Sequence, residues 1–359
     1  MRSIMLLRMK HKALLAISLA AFTVAAQARP FEDPRSDRIP ALDTATANEP
    51  RDPGCVADQL ASTGGPMPKN PRTLAIRWTG YSNFELVYNG QIVLLDAYFD
   101  RGGLYPSLGF KAADVAKANA ILIGHGHFDH MSDAASVGAR TGATIVGAPI
   151  TTEKLATQAV SAAQVRTVTG RGGETFGLGS FTIEPILGVH GDPPASLVGA
   201  FDAALKATTK APTPEQIAEQ AVLRQRGTSD SRVRTEGTIA YLITLDNGFR
   251  IYYRDSAGRV TDFEKAAMAR AGRVDVGLIA VSAAYLNSAT IEQAIEHSRA
   301  YKPDVYIPAH HDAPVNNLWR ATEPLFQALR DDNPNIVTVS KGYRQPICFN
   351  TDVNISKSR

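Results

Sequence analysis

Gly124-His125-Gly126-His127-Phe128-Asp129-His130 follows directly on the apolar run Ala120–Ile123, and the reading of the chain turns on this stretch. The run has the composition of a buried strand. Alternate side chains of an extended segment share a face, so His125 and His127 project together and two imidazoles can grip one metal. Asp129 and His130 then turn toward a neighbouring position. Such side chains gain nothing from burial without a partner, which makes this loop poor structural material and good ligand material.

Other motifs of the same character lie further along. Of the eight histidines, His11 belongs to the N-terminal leader, and six of the rest sit in short polar motifs at strand ends. His190, in Gly188-Val189-His190-Gly191-Asp192, adds a third imidazole, and a three-histidine set suits zinc with an open fourth position. Asp255, in Arg254-Asp255-Ser256-Ala257-Gly258, also ends a strand; by itself it reads as a turn residue. Pro308-Ala309-His310-His311-Asp312 offers two imidazoles, either of them a ligand, with His310 favoured.

Around these motifs the chain alternates strands and helices. Leu74–Thr79, Phe84–Tyr88 and Gln91–Asp96 are strand-like, and Asn89-Gly90 joins the last two as a hairpin. Ala143–Gly147, Phe181–Val189, Thr238–Leu245, Phe249–Arg254, Val274–Val281, Val305–Pro308 and Ile336–Val339 continue the series. Thr290–Gln293 reads as a capping box opening a helix that runs to about Tyr301, and Thr213-Pro214-Glu215-Gln216 as another, with proline at the first helical position. Residues 192–236 are far longer than a normal connection and are expected to form an inserted lid or substrate-binding element.

The chain has 359 residues, 44% hydrophobic and 20% charged, which excludes disorder and a multi-span membrane protein. Its formal charge of +3 belongs to the N-terminus, where Arg2, Arg8, Lys10 and Lys12 stand without an acid. The remainder is close to neutral, which speaks against a nucleic-acid partner. Those bases, the apolar run Ala13–Ala26 and the small-residue exit Ala26-Gln27-Ala28 make residues 1–28 a cleavable secretory signal. The apolar run is shorter than a bilayer span, so no stable membrane anchor is expected after cleavage. The mature protein is expected in the periplasm or secreted, and in an oxidising compartment Cys55 and Cys348 are candidates for an intramolecular disulfide. Residues 29–71, rich in Pro, Asp, Arg and Gly, read as an irregular extension ahead of one domain over 72–350.

The His-x-His-x-Asp-His core followed by a His, an Asp and a His, each at a strand end, resembles the metallo-β-lactamase superfamily over roughly residues 72–345. Asp96, in Leu94-Leu95-Asp96, matches the family's first motif. The resemblance implies an α/β fold, a four-layered αββα sandwich with the metals at one edge between its sheets. It implies that His125, His127 and His190 hold one metal, that Asp129, His130 and His310 hold a second, and that Asp255 bridges them. It further implies a bridging hydroxide that Asp129 orients or deprotonates. A donor set of imidazoles and carboxylates suits two zinc ions, with manganese or iron as alternatives. In that fold the loops carrying Tyr81, Asn83, Tyr285, Asn316, Asn317 and Trp319 rim the site, which makes these residues candidate substrate contacts.

Trp78-Thr79-Gly80-Tyr81-Ser82-Asn83-Phe84, the Asp255 turn and Pro308-Ala309-His310 are similar to the L-ascorbate-phosphate lactonase-like branch, which includes N-acylphosphatidylethanolamine-type phospholipases. That likeness implies hydrolysis of a lactone, phosphodiester or carboxyl ester in a small or lipid-like substrate. His311 stands where relatives often carry Tyr and is a candidate leaving-group acid. The rival readings are a periplasmic enzyme that opens β-lactam amides and a non-catalytic metal-binding protein. The first is disfavoured by Asp96-Ala97-Tyr98 where such enzymes usually have Asp-Gly-Gly, and the second by an apparently complete ligand set.

Overall fold

The computed structural model describes residues 31–32, 51–191, 211–281, 288–312 and 322–352. The leader, Tyr285, Asn316, Asn317 and Trp319 lie outside the described residues. No helix among those described is long and apolar enough to cross a membrane.

Two sheets carry the fold. The first strands are β1 (Phe31–Glu32), β2 (Thr73–Trp78), β3 (Phe84–Tyr88), β4 (Gln91–Leu95) and β5 (Ala120–Leu122). Then come β6 (Thr144–Gly147), β7 (Val165–Thr167), β8 (Phe176–Leu178), β9 (Phe181–Leu187) and β10 (Ile239–Leu245). The series closes with β11 (Arg250–Arg254), β12 (Val274–Ala280), β13 (Pro303–Ala309), β14 (Val337–Ser340) and β15 (Pro346–Asn350). One sheet runs β15-β2-β3-β4-β5-β6-β7 and the other β1-β14-β13-β12-β11-β10-β9-β8.

The period of two in the strands sorts their residues into layers. Leu74, Ile76, Leu86 and Val93 of one sheet pack with Ile239, Tyr241, Ile251 and Leu278 of the other in a single buried cluster. The intervening residues face outward onto helices. Ala75, Leu94 and Ile121 meet Ala134 and Val137 of helix Ala134–Thr141. Leu242, Tyr252 and Ile279 meet Met268 of helix Asp262–Ala271, Tyr301 of helix Ser288–Tyr301 and Phe326 of helix Glu323–Asp332. Both faces of each sheet are therefore covered, which gives the αββα sandwich and explains strands that read as nearly continuous apolar runs.

Local chemistry explains most element boundaries. Asn89 and Gly90 both have positive φ, 47° and 72°, as a two-residue hairpin with the twist of its strands requires. Thr213 and Gln216 cap each other reciprocally at the start of helix Pro214–Gln225. The helix expected to open at Thr290 begins earlier, at Ser288, so Thr290 lies within its first turn and not at its cap. The expected irregular extension is tied down at several points. Phe31 and Glu32 pair with Ser340 and Val339, Cys55 is joined to Cys348 on β15, and Glu85 accepts the backbone N–H groups of Ala61 and Ser62.

Candidate metal centre

Register delivers the polar motifs to one edge of the sandwich. Leu95 on β4 pairs with Leu122 on β5, so Asp96 lies beside the loop that follows β5. Arg254, Ile279 and Pro308 pair across the parallel strands β11, β12 and β13, so the Asp255 and His310 turns leave at the same end. His190 comes off β9 close by, its ring 4.9 Å from that of His125 and 4.8 Å from that of His127.

The donors form three overlapping triads, each with its ligand atoms within 4.8 Å of one another: His125, His127 and His190; His125, His130 and Asp255; Asp129, His130 and His310. All seven side chains singled out as ligands thus converge, with His125 and His130 shared between neighbouring triads. Nε2 of His125 stands 2.9 Å from Nδ1 of His127. Its Nδ1 faces Asp255 Oδ2 at 2.5 Å. The other oxygen of that carboxylate, Oδ1, is buried and without a hydrogen-bond partner. A buried acceptor without a donor is costly; a cation among these nitrogens and oxygens would satisfy it, so the residues fit a metal.

The surrounding shell sets ring orientations. Asp96, fully buried, accepts the Gly124 N–H on Oδ1 at 2.8 Å. Its Oδ2 lies 2.6 Å from His130 Nδ1 and accepts the Tyr253 hydroxyl at 2.6 Å. A carboxylate on Nδ1 leaves Nε2 as the ligating nitrogen. The backbone of Asp255 accepts the Ser82 hydroxyl at 2.8 Å. His310, strained at φ +59°, donates its N–H to the Tyr81 carbonyl at 2.7 Å. Gly124 is required sterically, because a Cβ there would fall 2.0 Å from the Asp255 carboxyl carbon.

Electrostatics follows from burial in this cluster. Burial, with His130, His127, His190 and His310 close by, pulls the His125 pKa well below its ordinary value, which favours the neutral, ligating imidazole. Burial works against the His130 imidazolium, yet Asp129, Asp96 and Asp255 push its pKa up to about 10. Burial also opposes ionisation of Asp129, but His130, His310 and His127 outweigh it and hold the carboxyl well below the usual range. Asp255 moves the other way, raised by burial and then by Asp96.

A cavity of about 600 Å³ opens over the donors. Its further walls include Phe128, Arg224, Thr228, Asp230, Arg234 and Ser256. Arg224, Thr228, Asp230 and Arg234 belong to the expected insertion, which is stitched to the donor loops by Thr228 N–H to Gly126 O at 2.7 Å and His190 N–H to Arg234 O at 3.0 Å. Residue type alone carried no signal for these positions.

Three sequence candidates sit elsewhere. His311 is buried and stacked on Trp78, with ring centroids 4.1 Å apart and an interplanar angle of 18°. It does not line the cavity, and burial lowers its pKa to about 4, so the leaving-group role is corrected to a packing one. His310 leaves the end of β13 with φ +59°, and that turn of the backbone carries its ring to the cluster while the ring of His311 lies on Trp78. Tyr81 is buried edge-on to His310, at 4.7 Å between ring centroids. Asn83 spends both ends of its amide on loop backbone, donating to Gly80 O and accepting from Tyr98 N. Both shape the loop behind His310 and are not cavity walls.

The chain is 24% identical over 299 residues to a UPF0173 metal-dependent hydrolase of Polaromonas sp., covering 80% of this chain and 94% of that protein. A UPF0173 metal-dependent hydrolase of Methanopyrus kandleri is 36% identical over 74 residues, which span 21% of this chain and 30% of that relative. Among solved structures, Igni18, a metallo hydrolase from the archaeon Ignicoccus hospitalis, superposes with a TM-score of 0.53 at 14% identity, covering 77% of this chain and 98% of that one; this shows the shared fold. Residues 91–311, which hold every member of the three triads, match the family model described as the beta-lactamase superfamily domain, and the protein belongs to the metallo-β-lactamase superfamily.

Proposed function

We propose that this protein is an exported metal-dependent hydrolase that uses a two-metal centre, with zinc as the metal, to cleave an ester-type bond: a lactone, phosphodiester or carboxyl ester. The observation that carries this reading is the chain of three triads sharing His125 and His130, which suits two neighbouring ions better than one. His125, His127 and His190 would hold the first ion and Asp129, His130 and His310 the second, with Asp255 between them. The metals, when bound, supply Lewis acidity that acidifies water and polarises the substrate oxygen.

The chain's own groups do the rest. Neutral His125 offers lone pairs, not protons, to the centre. Asp129 is held ionised by its imidazole neighbours and lines the cavity, so it is placed to orient a water by accepting its hydrogen bond. Asp96 fixes His130, and Tyr81 fixes the strained His310 backbone. Export is supported by the N-terminal leader and by the joined Cys55–Cys348 pair, which suits an oxidising compartment.

The test is a matched assay of the mature, zinc-loaded protein on an aromatic phosphodiester, several lactones and carboxyl esters, and a chromogenic cephalosporin, with metal content measured alongside. Turnover of a phosphodiester, lactone or ester at two zinc equivalents, lost in Asp255→Ala with the fold retained, is expected. Cephalosporin turnover with the other substrates inert would replace the ester reading with β-lactam hydrolysis. Manganese or iron at the same stoichiometry would replace the metal alone.

A further inference from the structure

Two of the ligand loops are joined by a side chain that is not a ligand. Arg254 ends β11 immediately before Asp255, and it is buried. Its Nη2 donates at 3.0 Å to the carbonyl of Val189, the residue before His190. Its Nε donates at 2.8 Å to the carbonyl of Ser256, the residue after Asp255. One planar guanidinium therefore spans the loops that leave β9 and β11. Nη2 also reaches the Arg259 carbonyl at 3.2 Å, on the far side of the Asp255 turn.

The guanidinium is itself held fast. Its Nη1 donates to Glu264 Oε1 at 3.0 Å and to the Tyr301 hydroxyl at 3.1 Å. Glu264, fully buried, also accepts the Tyr252 and Tyr301 hydroxyls on Oε1, and its Oε2 accepts the Thr261 N–H in the reciprocal cap of helix Asp262–Ala271. The two loops meet directly as well. Gly191 N–H donates to Ser256 Oγ at 3.0 Å, and a Cβ on Gly191 would fall 2.5 Å from the Ala257 carbonyl carbon. Desolvation can cancel the Coulombic gain of a buried ion pair, so net stability is a weak reason for placing one here. Fixing the separation of two ligand loops needs such a rigid brace.

We propose that Arg254 is a positioning residue of the metal centre: its brace from Glu264 to the Val189 and Ser256 carbonyls sets the spacing of His190 and Asp255, and with it the affinity for the ion held by His125, His127 and His190. The inference rests on the two-metal reading above. Asp129, His130 and His310 receive none of these contacts, so their ion depends on the brace far less. Lysine in place of Arg254 would keep a charge opposite Glu264, but a compact ammonium lacks the planar fork that spans the two carbonyls. Groups that hold metal ligands in place are each worth about 10–100-fold in affinity.

Cobalt(II) binding to the metal-stripped full chain tests this, read by the visible absorption of the bound ion and by competition with a chromophoric chelator. Arg254→Lys is introduced into two backgrounds: His310→Ala, which keeps the first donor set, and His190→Ala, which keeps the second. Affinity is expected to fall about 10–100-fold in the first background and about threefold or less in the second. A general loosening of the fold would weaken both sets alike, and thermal melts of the metal-free proteins check for it. Equal losses in the two backgrounds, or wild-type affinity in a folded Arg254→Lys protein, overturn the proposal. If Arg254→Lys does not fold, Gly191→Ala, which parts the same two loops without touching the buried ion pair, takes its place under the same criteria. Uptake of a single cobalt ion by the wild type would sink the two-metal reading alone. The brace is then judged on that ion: losses from Arg254→Lys and His190→Ala that combine less than additively support it, and additive losses overturn it.

Discussion

Asp96→Asn puts the second half of the centre to a sharp test. The carboxylate is fully buried and accepts the Gly124 N–H on Oδ1, while Oδ2 faces His130 Nδ1 and accepts the Tyr253 hydroxyl. Asparagine keeps one acceptor oxygen and turns the other into a donor. With its oxygen still on Gly124, the new amide N–H₂ faces the N–H on His130 Nδ1. The imidazole then has to move its proton to Nε2, the atom that lies 3.8 Å from Asp129 Oδ2 within the third triad. A nitrogen carrying a proton cannot ligate. Loss of one charge-assisted hydrogen bond is worth about 1.5–3 kcal/mol, or about 10–150-fold in the affinity of the ion held by Asp129, His130 and His310. Competition against a chromophoric chelator measures that affinity, and thermal melts of the metal-stripped proteins check the fold. Tyr253→Phe removes one donor from the same carboxylate but leaves the His130 contact and its tautomer in place, so it is expected to cost less metal affinity than Asp96→Asn. Both metals held within about twofold of wild type by a folded Asp96→Asn protein would refute the assignment of Asp96 as the group that sets the His130 tautomer.

Three further outcomes follow from the same geometry. His310→Ala is expected to lower metal stoichiometry by one equivalent, whereas His311→Phe, which keeps a flat ring against Trp78, leaves it at the wild-type value; elemental analysis of the pair decides which histidine is the ligand. Gly124→Ala drives a Cβ into the Asp255 carboxylate and is expected to reduce both metal content and turnover in a protein that still folds, a combination read by circular dichroism beside metal analysis. Asp133 accepts the Phe99 and Asp100 N–H groups, but burial raises its pKa to about 6. A folded pKa above the unfolded value means that the native state binds the extra proton between about pH 4 and pH 6. The contribution of this group is therefore full below that window and lost above it, by about 3 kcal/mol in total. Urea denaturation at pH 4 and pH 7 should show wild type losing that much stability relative to Asp133→Asn, and a pH-independent difference would contradict it.

Much of the centre is legible in the chain because its chemistry is local. Four ligand-type residues crowd into residues 125–130 directly after an apolar strand, and no buried loop accommodates that without a cation or a dense hydrogen-bond network. His190, Asp255 and His310 are recognisable for a related reason, since each stands at the point where an apolar strand gives way to glycine-rich or polar chain. The main strands are equally plain, because burial on both faces makes them continuous apolar runs. The strands that escaped are short or at an edge. β7 is exposed over Arg166 and Thr167, β8 carries a central glycine, and β15 opens on a proline.

What composition and spacing cannot encode is which distant residues share a wall or an oxygen. Asp96 and Tyr253 meet across the two sheets, 157 residues apart, and together they position a histidine that neither neighbours in sequence. The arginines of the cleft arrive on an insertion whose length suggested a lid but whose individual residues looked like any solvated helix. The choice between His310 and His311 depended on the direction in which a strained residue leaves β13, since neighbouring side chains of one type differ only in the face they present. Ligand identity is thus written in residue type and local order, because a metal demands particular atoms. Orientation, cavity walls and charge around the substrate are set by contacts between segments far apart in the chain, and those come into being only when the sheets close on each other.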